Sequence, residues 1–378
     1  MKVEDILCNL IQIRTDPAVQ NNAAFVDYVA NILRQNDIVY EKIPNPDGAG
    51  DNLLAGINVR KLKDIKGGIL LSGHMDTVGA TLAEWQSNPF QATLKGGKIY
   101  GRGAMDMKQF IATILHLIPH FKQIKLPIFL AFSCDEETNV LGARQLTTFL
   151  EKNNIHPKYA LIGEATNFNL YVANRGYAGY QTIIRGLAGH AGAPELGINA
   201  AYIAAKIISK VEDLNELYAP QGTTLNVGII QGGIGRNAIP AEARIDWEIR
   251  YKDDKAHQQI IQKMEDLYQE LKRNYPKAEI SVEPKETLPA FEEKSDSRLT
   301  QTAERILNTP RTSFPYASEA GFYQTLGMDT LMCGAGDPKL AHGADEHIAI
   351  ADLNKYADFL INLLKDIIEK HIKIPEKK

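Results

Sequence analysis

The feature that most constrains this chain is a set of apolar runs that each stop at an acidic or histidine cluster. Ile69-Leu70-Leu71 leads to Gly73-His74-Met75-Asp76-Thr77. Ile128 to Phe132 leads to Asp135-Glu136-Glu137-Thr138, and Tyr159-Ala160-Leu161-Ile162 leads to Gly163-Glu164-Ala165. Ala104-Met105-Asp106-Met107-Lys108 falls between the first two, and Ala341-His342-Gly343 lies far downstream. The first four clusters succeed one another at about 30 residues, roughly one strand-helix-strand unit. In an open α/β sheet, ligands gather at the carboxyl ends of the strands. Hard metal-binding side chains delivered repeatedly to that edge imply a metal site, and two histidines with several carboxylates could hold two ions.

At 378 residues the chain is long for one core, so two domains are expected. A formal net charge of −4 and the lack of a long basic run leave no electrostatic footprint for nucleic acid. Glu4 and Asp5 stand where a signal peptide would carry its basic start and apolar stretch. No apolar run reaches the length of roughly 20 residues that a membrane helix needs. Cys8, Cys134 and Cys333 are scattered, which fits a reducing cytoplasm. Neither a nucleic acid nor a membrane is expected as partner.

The N-terminal part alternates helix and strand signals. Phe25, Val29, Ile32 and Leu33 follow helical spacing, and Leu53 to Ile57 reads as a buried strand. Met107 to Leu117 predicts a helix stopping near Pro119. Val140 to Leu150 predicts another, with Thr138 and Asn139 as capping candidates. Beyond Gly176 the signals follow a β-α-β-β-α-β order, ferredoxin-like, and Pro284 and Pro289 mark its end. α/β character then resumes, closing in an amphipathic helix with Leu353, Phe359, Leu360, Leu363, Leu364 and Ile367 on one side. The fold class is therefore α/β: a doubly wound, mixed-sheet domain with a ferredoxin-like α+β domain inserted. The expected boundaries are 1–176 and 287–378 for the first domain and 177–286 for the insert.

His74 and Asp76 project to the same face of a strand, so the aspartate can hold the imidazole nitrogen that a metal leaves free. Asp106 reads either as a carboxylate between two cations or as the N-cap of the Met107 helix. Adjacent Asp135, Glu136 and Glu137 raise one another's pKa unless a cation compensates. One of the glutamates could ligate while its neighbour moves a proton; the plainer alternative is a solvated acidic turn. Glu164 and His342 allow similar plain readings as loop residues. The conjunction of clusters carries the argument. His116 and His120 resemble a zinc helix in spacing, but Pro119 intervenes and the glutamate of H-E-x-x-H is missing.

The segments Leu71 to Val78, Tyr100 to Lys108 and Asp135 to Thr138 resemble the signatures of the di-zinc amidohydrolases, the family of aminoacylases, acetylornithine deacetylase and succinyl-diaminopimelate desuccinylase. The resemblance spans nearly the whole chain. It implies two divalent ions, zinc with cobalt or manganese as alternatives. One would be held by His74, Asp106 and Glu164, the other by Asp106, Glu137 and His342. Asp76 would orient His74, and Glu136 would be the general base. The inserted domain would dimerise the protein. Its His190 would reach a partner's active site to help hold the oxyanion, Asn237 would contact substrate, and Arg250 would grip a substrate carboxylate.

Within that family, Leu82 to Phe90, Glu136 to Arg144 and Ala317 to Ala320 lie nearest the acetylornithine deacetylase branch. The implied substrate is a small N-acyl amino acid; a desuccinylase or dipeptidase is the nearer alternative, and a silent binding protein the remoter one. Glu319, shortly before His342, is expected either to line the cleft and attract a substrate ammonium or to start a helix and point to solvent. Ala165 replaces the proline usual after the ligand glutamate, and the residues around His342 also vary. Neither change removes a ligand.

Overall fold

The computed structural model describes residues 1–19, 21–45, 50–138, 140–293, 296–314 and 317–371. They divide into two compact units. The first joins Met1–Ala173 to Glu292–Phe314 and Ser318–Lys378, and the second is built around Asn174–Phe291.

The first unit is organised by one mixed sheet. Its strands run in the order Val39–Pro44, Asp51–Ile57, Ile128–Ser133, Ile69–His74, Tyr159–Ile162, Asp329–Met332, Leu170–Asn174 and Phe291–Glu292. The four central strands are parallel. All six residues of Ile69–His74 and of Ile128–Ser133 are buried, which is why those stretches are apolar without alternation: helices cover both faces. Parallel pairing aligns their carboxyl ends. His74 stands opposite Ser133, and Ile162 pairs with both Ser72 and Met332. The chain therefore leaves these strands at a common edge, already carrying His74, Asp135–Glu137 and Glu164. At the other end of the sheet, Glu293 N–H donates to Val172 O at 2.7 Å, so the chain leaves this sheet and rejoins it on adjacent strands.

Two helix boundaries differ from expectation. The helix Lys108–Phe121 runs past Pro119. The proline sits in the last turn, where only one ladder donor is lost and little helix remains to disturb. The helix Leu141–Lys152 is not capped by Thr138, and Asn139 lies outside the described residues. Thr138 instead donates its hydroxyl to Asp135 O at 3.3 Å, and Gly142 N–H donates to Asp135 Oδ1 at 2.9 Å. A Cβ on Gly142 would come within 2.3 Å of Cys134 O, so only glycine lets the helix start this close to the strand end. The closing helix Ile350–His371 buries Leu353, Tyr356, Leu360, Leu363, Leu364 and Ile367 in the core.

The second unit is a four-stranded antiparallel sheet in the order Thr224–Gly232, Glu242–Tyr251, Gly176–Arg185, Glu279–Leu288. Along Glu242–Tyr251 burial alternates strictly. Ile245, Trp247, Ile249 and Tyr251 thus share a core with Ile203, Ile207 and Val211 of the helix Ala200–Tyr218 and Ile260 and Met264 of the helix Asp254–Asn274. Asn199 and Asp253 cap these two helices by accepting from backbone N–H groups of their first turns. No helix among the described residues is long and apolar enough to cross a membrane.

Candidate metal centre

His74, at the end of its strand, is 1 % exposed. Its Nδ1–H donates to Asp76 O at 3.0 Å, which turns Nε2 toward Asp106 Oδ1 at 3.2 Å and Glu164 Oε1 at 3.9 Å. An imidazole nitrogen among carboxylate oxygens needs a proton or a cation between them. Across the site His342 Nε2 lies 3.0 Å from Glu137 Oε2 and 3.6 Å from Asp106 Oδ2. Asp106 thus offers one oxygen to each histidine. Two groups of three result, His74–Asp106–Glu164 and Asp106–Glu137–His342, each with its donor atoms within 4.8 Å of one another. Both combine imidazole nitrogen with carboxylate oxygen, a donor set that suits zinc, and three protein donors leave a position open for water or substrate.

The electrostatics follow from crowding acids together, several of them buried. Burial pushes the Glu164 carboxyl up to about 8, with Asp106, Glu319 and Glu137 adding to the rise and His74 opposing it. Burial also raises Glu136 well above the ordinary carboxylate range, helped by Glu164, Glu137 and Asp76. Burial would raise Asp106 too, yet the hydrogen bond from His74 and the nearby His342 and Arg102 leave it lowered. His74 shows the complementary outcome. Burial disfavours its cation, but Asp106 and Asp76 outweigh that and hold its pKa well above 6.5. The hydrogen bond with Glu137 raises His342.

Asp76 does two things. Its backbone carbonyl, rather than its carboxylate 3.6 Å away, makes the closer contact with His74. Its carboxylate accepts from the N–H of Glu136 at 3.1 Å and of Glu137 at 3.0 Å, holding that turn in place. Glu136 is half-buried and belongs to neither group of three.

Glu319 is a correction. It is fully buried, and its two oxygens accept from Ser72 Oγ at 2.5 Å and Ser133 Oγ at 2.7 Å. Both hydroxyls come from central strands, so the carboxylate lies against the sheet, neither in a cleft nor in solvent. A substrate ammonium cannot reach an acid with no exposed surface. Burial raises its pKa, against the pull of the two serines and His74.

The remaining expected contacts lie in the second unit. His190 and Asn237 are exposed neighbours. The two-residue strand Gly189–His190 pairs with Ala238–Ile239, and Ala191 N–H donates to Asn237 O at 3.1 Å. Arg250 lies near the opposite end of the sheet, its Nε donating to Glu248 Oε1 at 3.1 Å and its guanidinium 4.4 Å above the Tyr177 ring.

One residue without an expected role stands out. Glu346 is fully buried and accepts from Arg102 Nη1 at 2.6 Å and from the N–H groups of Gly103, Met105 and Asp106. In sequence, Asp345-Glu346-His347 shows only as part of the varied stretch around His342. Only its place four residues after His342 hinted at more.

Residues 70–366 match the model of peptidase family M20/M25/M40. The chain is 32% identical over 316 residues to an acetylornithine deacetylase of Myxococcus xanthus, covering 79% of this chain and 82% of that protein. It is 31% identical over 360 residues to the acetylornithine deacetylase of Proteus mirabilis, covering 92% and 90%. Among solved structures, a Staphylococcus aureus tripeptidase superposes with a TM-score of 0.76 at 22% identity, covering 97% of each chain. A Bacillus subtilis protein described as a dinuclear metal-binding peptidase of the M20 family superposes with a TM-score of 0.67 at 15% identity, covering 97% of this chain and 98% of that one. These two share the fold.

Proposed function

The chain belongs to peptidase family M20/M25/M40, and on that premise we propose that it is a two-metal amidohydrolase converting N-acetyl-L-ornithine and water to L-ornithine and acetate. The observation that carries this reading is the division of Asp106 between two histidines, with Glu136 left over beside them. The relatives named acetylornithine deacetylase supply the substrate.

His74, Asp106 and Glu164 would hold one ion, and Asp106, Glu137 and His342 the other. Zinc is the first choice, with cobalt or manganese as alternatives. Paired ions in such a site polarise the amide carbonyl and clamp the attacking oxygen. Glu136 moves the proton. Its carboxylate takes it from the attacking water and gives it to the amide nitrogen as the C–N bond breaks. The water oxygen ends in acetate, and the second proton of the water, released as the new carboxyl group ionises, leaves the departing amine as an ammonium. Asp76 contributes by fixing the Glu136–Glu137 turn through its two N–H contacts.

Substrate contacts come from the ferredoxin-like insert. Arg250 takes the α-carboxylate, Asn237 contacts the acyl amino acid, and His190 of the partner subunit donates to the carbonyl oxygen as it gains charge. The spacing supports a homodimer. The His190–Asn237 ribbon leaves the sheet next to Ala243, seven residues along the strand from Arg250. Seven residues of strand span about 23 Å. A substrate this small does not span both ends of one insert, which supports drawing one of the two contacts from another subunit. All three cysteines are free thiols, which supports a cytoplasmic setting.

The test is hydrolysis by the zinc-loaded protein of N-acetylornithine, N-succinyl-diaminopimelate, a dipeptide and a tripeptide. N-Acetylornithine should be cleaved fastest. Turnover of a peptide or the succinyl substrate with N-acetylornithine untouched would transfer the assignment to that substrate.

A further inference from the structure

We propose that Glu346 is a positioning residue, which sets Asp106 and His342 in place for the second ion before that ion arrives. The proposal rests on the two-ion reading above. Glu346 belongs to neither group of donors among the described residues. Its carboxylate is nonetheless fully buried, which is costly unless every lone pair is used.

They are used on one short loop. Oε2 accepts from Arg102 Nη1 at 2.6 Å and Gly103 N–H at 3.1 Å. Oε1 accepts from Met105 N–H at 2.8 Å and Asp106 N–H at 3.0 Å. Four donors from residues 102–106 converge on a single anion, so the backbone that aims the Asp106 side chain is wrapped around Glu346. The close wrap needs Gly103, at φ +79°, because a Cβ there would meet Thr77 and Lys108 within 3 Å.

The same ion pair reaches His342. Arg102 uses its other arm, Nη2, to donate to His342 O at 3.1 Å. The two loops also start from one place, since His347 pairs with Tyr100 and Gly101 N–H donates to Glu346 O at 3.0 Å. Glu346 and Arg102 therefore tie the shared carboxylate and the second histidine to each other. An ion pair serving only the fold would have no reason to divide its arms between two donor-bearing loops.

Zinc binding by the full chain, measured by competition with a chromophoric chelator, separates the possibilities. Wild-type protein should bind two equivalents. Glu346→Gln places an NH₂ against N–H donors on one side of the loop, and should weaken the looser zinc by about 10–100-fold. Excess zinc should then restore both the second equivalent and hydrolysis, which it would not do for a damaged fold. Arg102→Lys carries the test if Glu346→Gln does not fold. One ammonium cannot replace two arms, so a smaller loss in the same zinc is expected. Either variant, folded and holding both ions with wild-type affinity, overturns the role of Glu346. Wild-type protein that binds only one ion overturns instead the two-ion reading beneath it.

Discussion

Ser72 donates its hydroxyl to Glu319 across 2.5 Å of buried space, joining a central strand to the start of the helix Ala320–Thr325. With Ser133 on the neighbouring strand, it makes Glu319 part of the scaffold beneath His74. Replacing Glu319 by alanine takes the acceptor from the Ser133 hydroxyl and leaves Ser72 only Ala131 O and the Tyr323 hydroxyl, a loss of about 1–3 kcal/mol for a buried polar group. Urea unfolding should register that loss, while Glu319→Gln leaves the ranking of N-acetylornithine over N-succinyl-diaminopimelate unchanged. A collapse of that ranking in Glu319→Gln would return the residue to the substrate.

Glu136 and Glu137 are adjacent but should fail differently. Glu136→Gln should lower kcat by about 10²–10⁴, the usual worth of a positioned proton carrier, with both zinc ions retained. Glu137→Ala should lose zinc. Metal analysis of the two purified variants checks this, and loss of an ion from Glu136→Gln alone would exchange their roles.

If His190 serves a partner's site, two inactive variants can rescue each other. Mixing Glu136→Ala with His190→Ala should restore measurable hydrolysis, because one site of the hybrid dimer regains both groups. A monomer by light scattering, turning over at full rate, excludes the arrangement.

The second unit should show a histidine-linked pH dependence. Burial lowers the pKa of His257 below 6.5, with Asp254 opposing, and its Nε2 lies 2.7 Å from the Tyr180 hydroxyl. The unfolded chain then binds the proton more readily than the folded one, so stability rises with pH across that interval. The contribution is complete above about pH 6.5 and is lost as pH falls through the folded pKa. His257→Gln should flatten this part of a urea-midpoint profile taken between about pH 8 and pH 5. An identical slope in the variant assigns the dependence to other groups.

The residues gathered at the sheet edge were legible because strands buried on both faces must be apolar throughout, so each polar cluster marks a strand end. The four long strands and two helices that make up the sheet and core of the second unit were legible for a related reason: alternation and helical spacing are local. Glu319 was not. Ser318-Glu319-Ala320 looks the same whether it opens a surface helix or a buried one, and what buries it are Ser72 and Ser133, 247 and 186 residues earlier. Glu346 escaped notice for the same cause, since its donors lie 240 to 244 residues away. Thr138 misled differently. It has the chemistry of a cap, but Asp135 reaches the first turn of the helix instead.

The contact between Glu293 N–H and Val172 O means that the polypeptide departs for the second unit and returns from it on neighbouring strands. Neighbouring strands are about 4.8 Å apart, a gap that a hairpin turn spans. The insert is in this sense a detachable cassette, and a chain with residues 175–290 replaced by a short glycine turn should keep its central sheet. Every residue of the two candidate donor groups lies outside the excised stretch, whereas His190, Asn237 and Arg250 all lie inside it. On the proposed assignments, such a chain would keep its metal donors and lose its grip on substrate, and the cassette could be exchanged for another to change what is cut without rebuilding how.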